Sequence, residues 1–328
     1  MRRSAVRPSL AALAGLGLLL SGCSAQPDNG SPGAQSGGTG INVVASTNVY
    51  GDIASSVGGD KVNVTSIITK TSQDPHSYEA TAQDRLAVSK ADLVITNGGG
   101  YDDFMNTLVD GSKLDAGNVL DAVELSGLEH SGEEAEPSAS ADASAGDHGH
   151  DHGDFNEHVW YSLHAMEHLA DELEAKLSAR EPESAQEFKA NAASFKSSLE
   201  ELHGKLDTLT ASGGGAQVAV TEPVPLYLLE DAGLVNATPA DYTAAIEEGT
   251  DVPPAVLRAA TDLVSGKSVR MLAYNEQTEG PQTEALKKAA ETAGVPVVDF
   301  NETLPEGKTY LQWMTDNVDN ISTILESK

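Results

Sequence analysis

Cysteine is almost missing from this chain of 328 residues: Cys23 is the only one. One thiol excludes a disulfide framework and a thiolate zinc site. Basic residues are scarce as well, 20 against 50 acidic; once residues 1–22 are set aside the balance is 17 against 50, a net charge of −33. Such a surface repels nucleic acid and gathers cations. No Gly-x-Ser-x-Gly, Walker or dinucleotide fingerprint is present, which removes the common nucleophilic and nucleotide-dependent enzymes from consideration. Methionine and aromatic residues are sparse and read as core. The one long apolar run, Leu10 to Leu20, is too short to span a bilayer comfortably.

That run has the shape of an export signal. Arg2, Arg3 and Arg7 precede it as a positive region, and Leu20-Ser21-Gly22-Cys23 follows it. The tetrapeptide looks like a lipobox, in which the signal is cut before the cysteine and the sulfur receives a diacylglyceryl group. Residues 1–22 are therefore expected to be a lipoprotein signal peptide, Cys23 the lipidated residue and residues 23–40, rich in Ser, Gly, Pro and Gln, a flexible tether. Anchoring by two or more acyl chains places the mature protein on the cell membrane, facing the extracytoplasmic side.

Between Asp147 and His158 the chain reads Asp-His-Gly-His-Asp-His-Gly-Asp-Phe-Asn-Glu-His. Imidazole and carboxylate are ligands of borderline and hard divalent ions, and a glycine-spaced tract that cannot pack a core has little structural reason to hold so many of them. His148, His150 and His152 are candidate accessory ligands in a loop, residues 131–154, that shows no hydrophobic period and is expected to be disordered.

The rest of the chain, about 270 residues, is enough for two cores. Short β-branched runs at Ile41 to Thr47, Val62 to Ile68 and Asp92 to Thr96 alternate with helical patterns, and a second set follows at Gln217 to Thr221, Val269 to Tyr274 and Pro296 to Phe300. The expected fold class is α/β, two lobes with parallel sheets: residues 41–181 and residues 213–328. Between them Phe188, Ala192, Phe195, Leu199, Leu202, Leu206 and Leu209 recur at steps of three and four, predicting one connecting helix over residues 182–212. At roughly 28 residues it would be about 42 Å long and run from lobe to lobe. The stripe Met166, Leu169, Leu173 and Leu177 predicts another helix just before it.

In open α/β sheets small ligands bind beyond the carboxyl ends of the strands. His76 follows the second strand in Asp74-Pro75-His76-Ser77-Tyr78-Glu79, Glu222 ends the strand Val218 to Glu222, and Glu302 follows the last strand with Asp299 as its rival. His158 stands where the loop gives way to Val159-Trp160. His164 and His168 share a helix face, but like His130 and His203 they read as surface histidines without a function.

Asp74-Pro75-His76-Ser77-Tyr78-Glu79, Asn156-Glu157-His158-Val159-Trp160, Thr221-Glu222-Pro223 and Asn301-Glu302-Thr303-Leu304 before Lys308-Thr309-Tyr310-Leu311, in this order and spacing, resemble the zinc- and manganese-binding solute-binding lipoproteins of ABC importers. The resemblance runs from about residue 41 to the carboxyl end. It implies a metal ion held in the cleft between the lobes, by His76 and His158 from the first and Glu222 and Glu302 from the second. It also implies a permease and its ATPase as partners. The family usually has aspartate at the last position, which keeps Asp299 in play.

Two imidazoles and two carboxylates suit tetrahedral zinc, and oxygen-rich sets suit manganese; the histidine loop and raw affinity favour zinc, with manganese the alternative. The expected protein is thus a monomeric carrier that captures zinc as transported ligand and catalyses nothing. A surface metal buffer or adhesin and a metal-dependent hydrolase are the competing classes.

Overall fold

The computed structural model describes residues 40–128 and 155–327. The expected signal peptide, Cys23, the expected tether up to residue 39, His130 and the histidines His148, His150 and His152 lie outside the described residues. Among the described residues no helix is long and apolar enough to cross a membrane.

The chain opens with β1 (Ile41–Thr47), α1 (Asn48–Gly58), β2 (Val62–Ile68), α2 (Ala82–Val88), β3 (Leu93–Thr96), α3 (Asp103–Asp110), β4 (Val119–Asp121) and α4 (Ala122–Ser126). After residues 129–154, which are not described, come α5 (Leu163–Arg180) and the long α6 (Ala185–Gly213), which starts from a single turn at Pro182–Ser184. The second half holds β5 (Gln217–Val220), α7 (Leu226–Asp231), β6 (Val235–Asn236), α8 (Ala240–Glu247), α9 (Pro254–Ser265), β7 (Leu272–Tyr274), α10 (Pro281–Ala293), β8 (Val297–Asp299) and α11 (Tyr310–Glu326).

Two four-stranded parallel sheets result, ordered β2-β1-β3-β4 and β6-β5-β7-β8. The α/β fold with two parallel-sheet lobes read from the sequence is the fold observed. In each sheet the chain reverses direction of winding beside its first strand, which creates a crevice at the carboxyl ends.

Side-chain alternation explains how the sheets are joined. Val43 and Ala45 on β1, Val218 and Val220 on β5, and Ala273 on β7 with Met271 just before it all enter one continuous core, filled by α1, α5, α6 and α11. Their neighbours Val44 and Val94 face away into a separate core with Phe104 and Met105 of α3. Ala219 and Leu272 do likewise toward α8, α9 and α10. A period of two thus assigns each strand to two layers, which is why these strands are apolar throughout. The seven-residue stripe of α6 is buried along its whole length, so the helix is a shared wall of both halves.

Candidate metal centre

Four loops that leave strand ends converge on the crevice. In the first half, the β2–α2 loop turns sharply: the Asp74 carboxylate accepts from the His76 backbone N–H at 2.9 Å and from the Ser77 hydroxyl at 2.7 Å. This local ring holds His76 up beside Tyr101, whose ring meets it edge-on at 5.0 Å. Asn97, just after β3, receives the Tyr50 hydroxyl on Oδ1 and donates from Nδ2 to the Glu157 carbonyl at 3.0 Å. The turn that follows needs glycine at Gly98, which has φ +80° and would press a Cβ to 2.2 Å from the Asp121 carboxylate.

That anchor presents His158, which is buried between Tyr101 and Trp160. Asn156 Nδ2 donates to the Pro223 carbonyl at 3.0 Å, so its Oδ1 is the atom that faces His158 Nδ1 at 2.7 Å. Nδ1 therefore carries the proton, and Nε2 offers its lone pair to the crevice. Burial first, and the facing His76 next, hold the His158 pKa well below its usual value, which keeps the ring neutral.

The second half supplies the carboxylates. Glu222, immediately beyond β5 and Thr221, is buried; its Oε2 accepts from Asn275 Nδ2 at 2.7 Å and from the Thr278 hydroxyl. Glu302, beyond β8, is also buried, and its Oε1 accepts from the same Asn275 nitrogen at 2.7 Å. One amide thus bridges both acids. Burial, then the charge of Glu222, pushes the Glu302 carboxyl up to about 8 against the opposing Asn275 donor. Burial raises Glu222 too, and its Thr278 and Asn275 donors oppose this. Gln277 Oε1 accepts from the Glu302 backbone N–H at 2.8 Å, while Asn48 at the start of α1 exchanges two 2.9 Å hydrogen bonds with the Leu304 backbone.

The structure brings His76, His158 and Glu302 together, each offering one ligand atom within 4.8 Å of the others. Glu222 stands beside this group and is tied to it through Asn275, but does not itself join it at that spacing. Asp299 is exposed at the end of β8, where burial, Glu276 and the opposing Lys287 set its raised pKa; it is not part of the group. The His164 and His168 rings lie 4.5 Å apart on α5, tilted by 59°, with His164 exposed beside Glu167; neither is part of the group.

Sequence reading missed Asn275, Gln277 and two further acids at the crevice, Glu157 and Glu247. Asn275 follows β7 as Glu222 follows β5, so the same strand-end rule could have found it. Burial pushes Glu157 up to about 7, and burial with Glu157, Glu222 and Glu302 nearby pushes Glu247 up to about 8. The pocket gathers four acids beside His76 and the neutral His158, a set of carboxylates and imidazoles whose chemistry fits a divalent cation.

The chain is 27% identical over 188 residues to the manganese-binding lipoprotein MntA of Halalkalibacterium halodurans, covering 57% of this chain and 54% of that protein. It is 27% identical over 170 residues to the manganese ABC transporter substrate-binding lipoprotein PsaA of Streptococcus pneumoniae, with 49% of each covered. The chain spans about half the length of the curated relatives it matches. Among solved structures, a crystal structure of ZnuA superposes with a TM-score of 0.65 at 18% identity, covering 88% of this chain and 100% of that one. The solute-binding protein FpvC of Pseudomonas aeruginosa in complex with Mn2+ also gives 0.65, at 19% identity, covering 88% and 98%. These likenesses carry the fold. The family described as zinc-uptake complex component A, periplasmic, matches residues 43–324, and the chain belongs to that family.

Proposed function

We propose that this chain captures one divalent transition metal ion outside the cytoplasm, Zn2+ first, and delivers it to an ABC permease driven by its ATPase. The observation that carries this is the convergence of His76, His158 and Glu302 ligand atoms within 4.8 Å, beside Glu222, on loops from both sheets. His76 Nε2, His158 Nε2 and a Glu302 oxygen would hold the ion, and Glu222 would complete a four-ligand set after a side-chain movement. Two carboxylates cancel the ion's charge and two neutral imidazoles fill the remaining positions. A closed set leaves no position for an activated water, so the protein carries and does not catalyse. The family's description as an uptake component fits that reading.

The anchor and the location belong to the same proposal. Lipidation at Cys23 would tether a monomer to the outer face of the cell membrane, and the relatives named as lipoproteins are consistent with it. His148, His150 and His152 would collect ions weakly near the crevice.

Manganese is the second reading. Two observations favour it: several relatives are named for manganese, and the crevice is rich in oxygen ligands. Calorimetric titration of metal-free protein with each ion tests both. One tight zinc site, weaker for manganese and weakened about 10–100-fold in His76→Ala, is the expected result; an affinity unchanged by His76→Ala would overturn the ligand set.

A further inference from the structure

The crevice offers a second group of ligand atoms that shares only His158 with the four-residue set. Glu157, His158 and Glu247 each present one atom within 4.8 Å of the others. Glu157 is only 3% exposed, and its Oε1 is shielded from water with no hydrogen-bond donor. Glu247 Oε1, at the last residue of α8, is equally shielded and equally without a donor. Buried carboxylate oxygens are seldom left so, because the lost hydration is not replaced. Among the described residues Glu157 has one ion-pair candidate, the His76 ring, whose Nε2 lies 3.8 Å from Glu157 Oε1, too far for a hydrogen bond.

We propose that Glu157, His158 and Glu247 form a second coordination position for a divalent cation, overlapping the first and used in alternation with it. This rests on the capture reading above. The overlap follows from His158: Asn156 occupies its Nδ1, so Nε2 is the atom either position must use. One ion is therefore held at a time. Its partners are His76 and Glu302 at one station, Glu157 and Glu247 at the other. The second station has one imidazole and two carboxylates, a harder and weaker set for zinc than two imidazoles provide. It spans the crevice as the first does, since Glu247 comes from the second half and Glu157 from the first. An ion arriving with part of its water shell would exchange waters for Glu247 and Glu157 before His76 and Glu302 close on it.

Cobalt(II) titration of the full mature chain, followed by its d–d absorption, separates the stations. Four proteins are compared: wild type, His76→Ala, His76→Ala with Glu247→Gln, and His158→Ala, which removes both stations and leaves the loop histidines as background. The expected result is that His76→Ala still binds one cobalt above background, about 10–100-fold more weakly and with an altered band, as loss of an ordering ligand or its support does elsewhere. Adding Glu247→Gln should bring it to background. A His76→Ala protein already at background overturns the second position, as does a residual site indifferent to Glu247→Gln. Wild type indistinguishable from His158→Ala is a separate result that sinks the capture reading itself. Should His158→Ala lose its circular dichroism, Glu157→Gln in the His76→Ala protein replaces it, because the comparison between the two His76→Ala proteins then decides.

Discussion

His158 Nδ1 stands 2.7 Å from Asn156 Oδ1, and the Asn156 amide is itself oriented by the Pro223 carbonyl across the crevice. A backbone carbonyl of the second half therefore fixes which nitrogen of a first-half histidine is free. Ligand histidines are commonly oriented in this way by a partner on the other ring nitrogen. Asn156→Ala should keep the fold, as judged by circular dichroism, and weaken zinc binding by about 10–100-fold in competition with a chelator dye. An unchanged affinity would show that the tautomer is set elsewhere.

The acids of the crevice predict a pH dependence whose sign can be worked out. Glu302 is raised from 4.5 to about 8, Glu247 to about 8 and Glu157 to about 7, burial being the first cause in each. A raised acid favours its protonated form in the fold. Its stabilising contribution is complete below the unfolded value and is lost as pH rises through the folded one. His158 is lowered and acts in reverse, contributing above its unfolded value and losing that contribution as pH falls. Between about pH 6.5 and about pH 8.5 the carboxyl contributions dominate. Metal-free protein should melt at falling temperature across this window. Zinc affinity should rise across it, because the ion displaces protons from Glu302.

Asn275→Leu removes the donor that Glu222 and Glu302 share at 2.7 Å each. Leaving buried acceptors unmet costs about 1–3 kcal/mol, and the cost falls on the metal-free state, where no cation replaces the amide. Calorimetric melting should show a larger gap between zinc-loaded and metal-free protein than in the wild type. Equal losses in both states would assign Asn275 a purely structural part.

Leu199→Ala, at the middle of the α6 stripe, opens the core that both sheets enter. A buried leucine truncated to alanine costs about 2–5 kcal/mol. Because the core is continuous, guanidinium unfolding should remain a single transition at a lower midpoint when followed by near-ultraviolet circular dichroism and by tryptophan fluorescence. Two separated transitions would mean that the sheets unfold independently.

The strand runs that carry β1, β2, β3, β5 and β8 were legible from their Val and Ile residues, and β7 from the largely apolar stretch Val269 to Tyr274; β2 differs in alternating half-buried valines with exposed Asn63 and Thr65. β4 and β6 were not: Val119–Asp121 and Val235–Asn236 are edge strands of three and two residues, too short for a pattern. The α6 helix was readable residue by residue, since its seven apolar positions are the seven it buries in that stripe. The loops after strand ends pointed to His76, Glu222 and Glu302, but not to how closely each approaches the others. Glu157 was visible only as the neighbour of His158. Glu247 gave no signal, because its position depends on how α8 lies over the crevice, a tertiary fact that no local spacing encodes.

The Glu302 loop is gripped from two directions: Asn48 of the first half pairs twice with Leu304, and Gln277 of the second half accepts from Glu302 and Thr303. It acts as a rivet through both halves. Each of these hydrogen bonds is worth about 1 kcal/mol, and swinging the halves apart would have to break those on one side while tearing the common core. On the proposed capture reading, opening like a clamshell would be the expensive way to let an ion out. The inexpensive way lies along the rim, where His76 rides on an exposed surface loop. On the same reading, a permease that tugged that loop would withdraw His76 from the ion and leave the rest of the body unmoved.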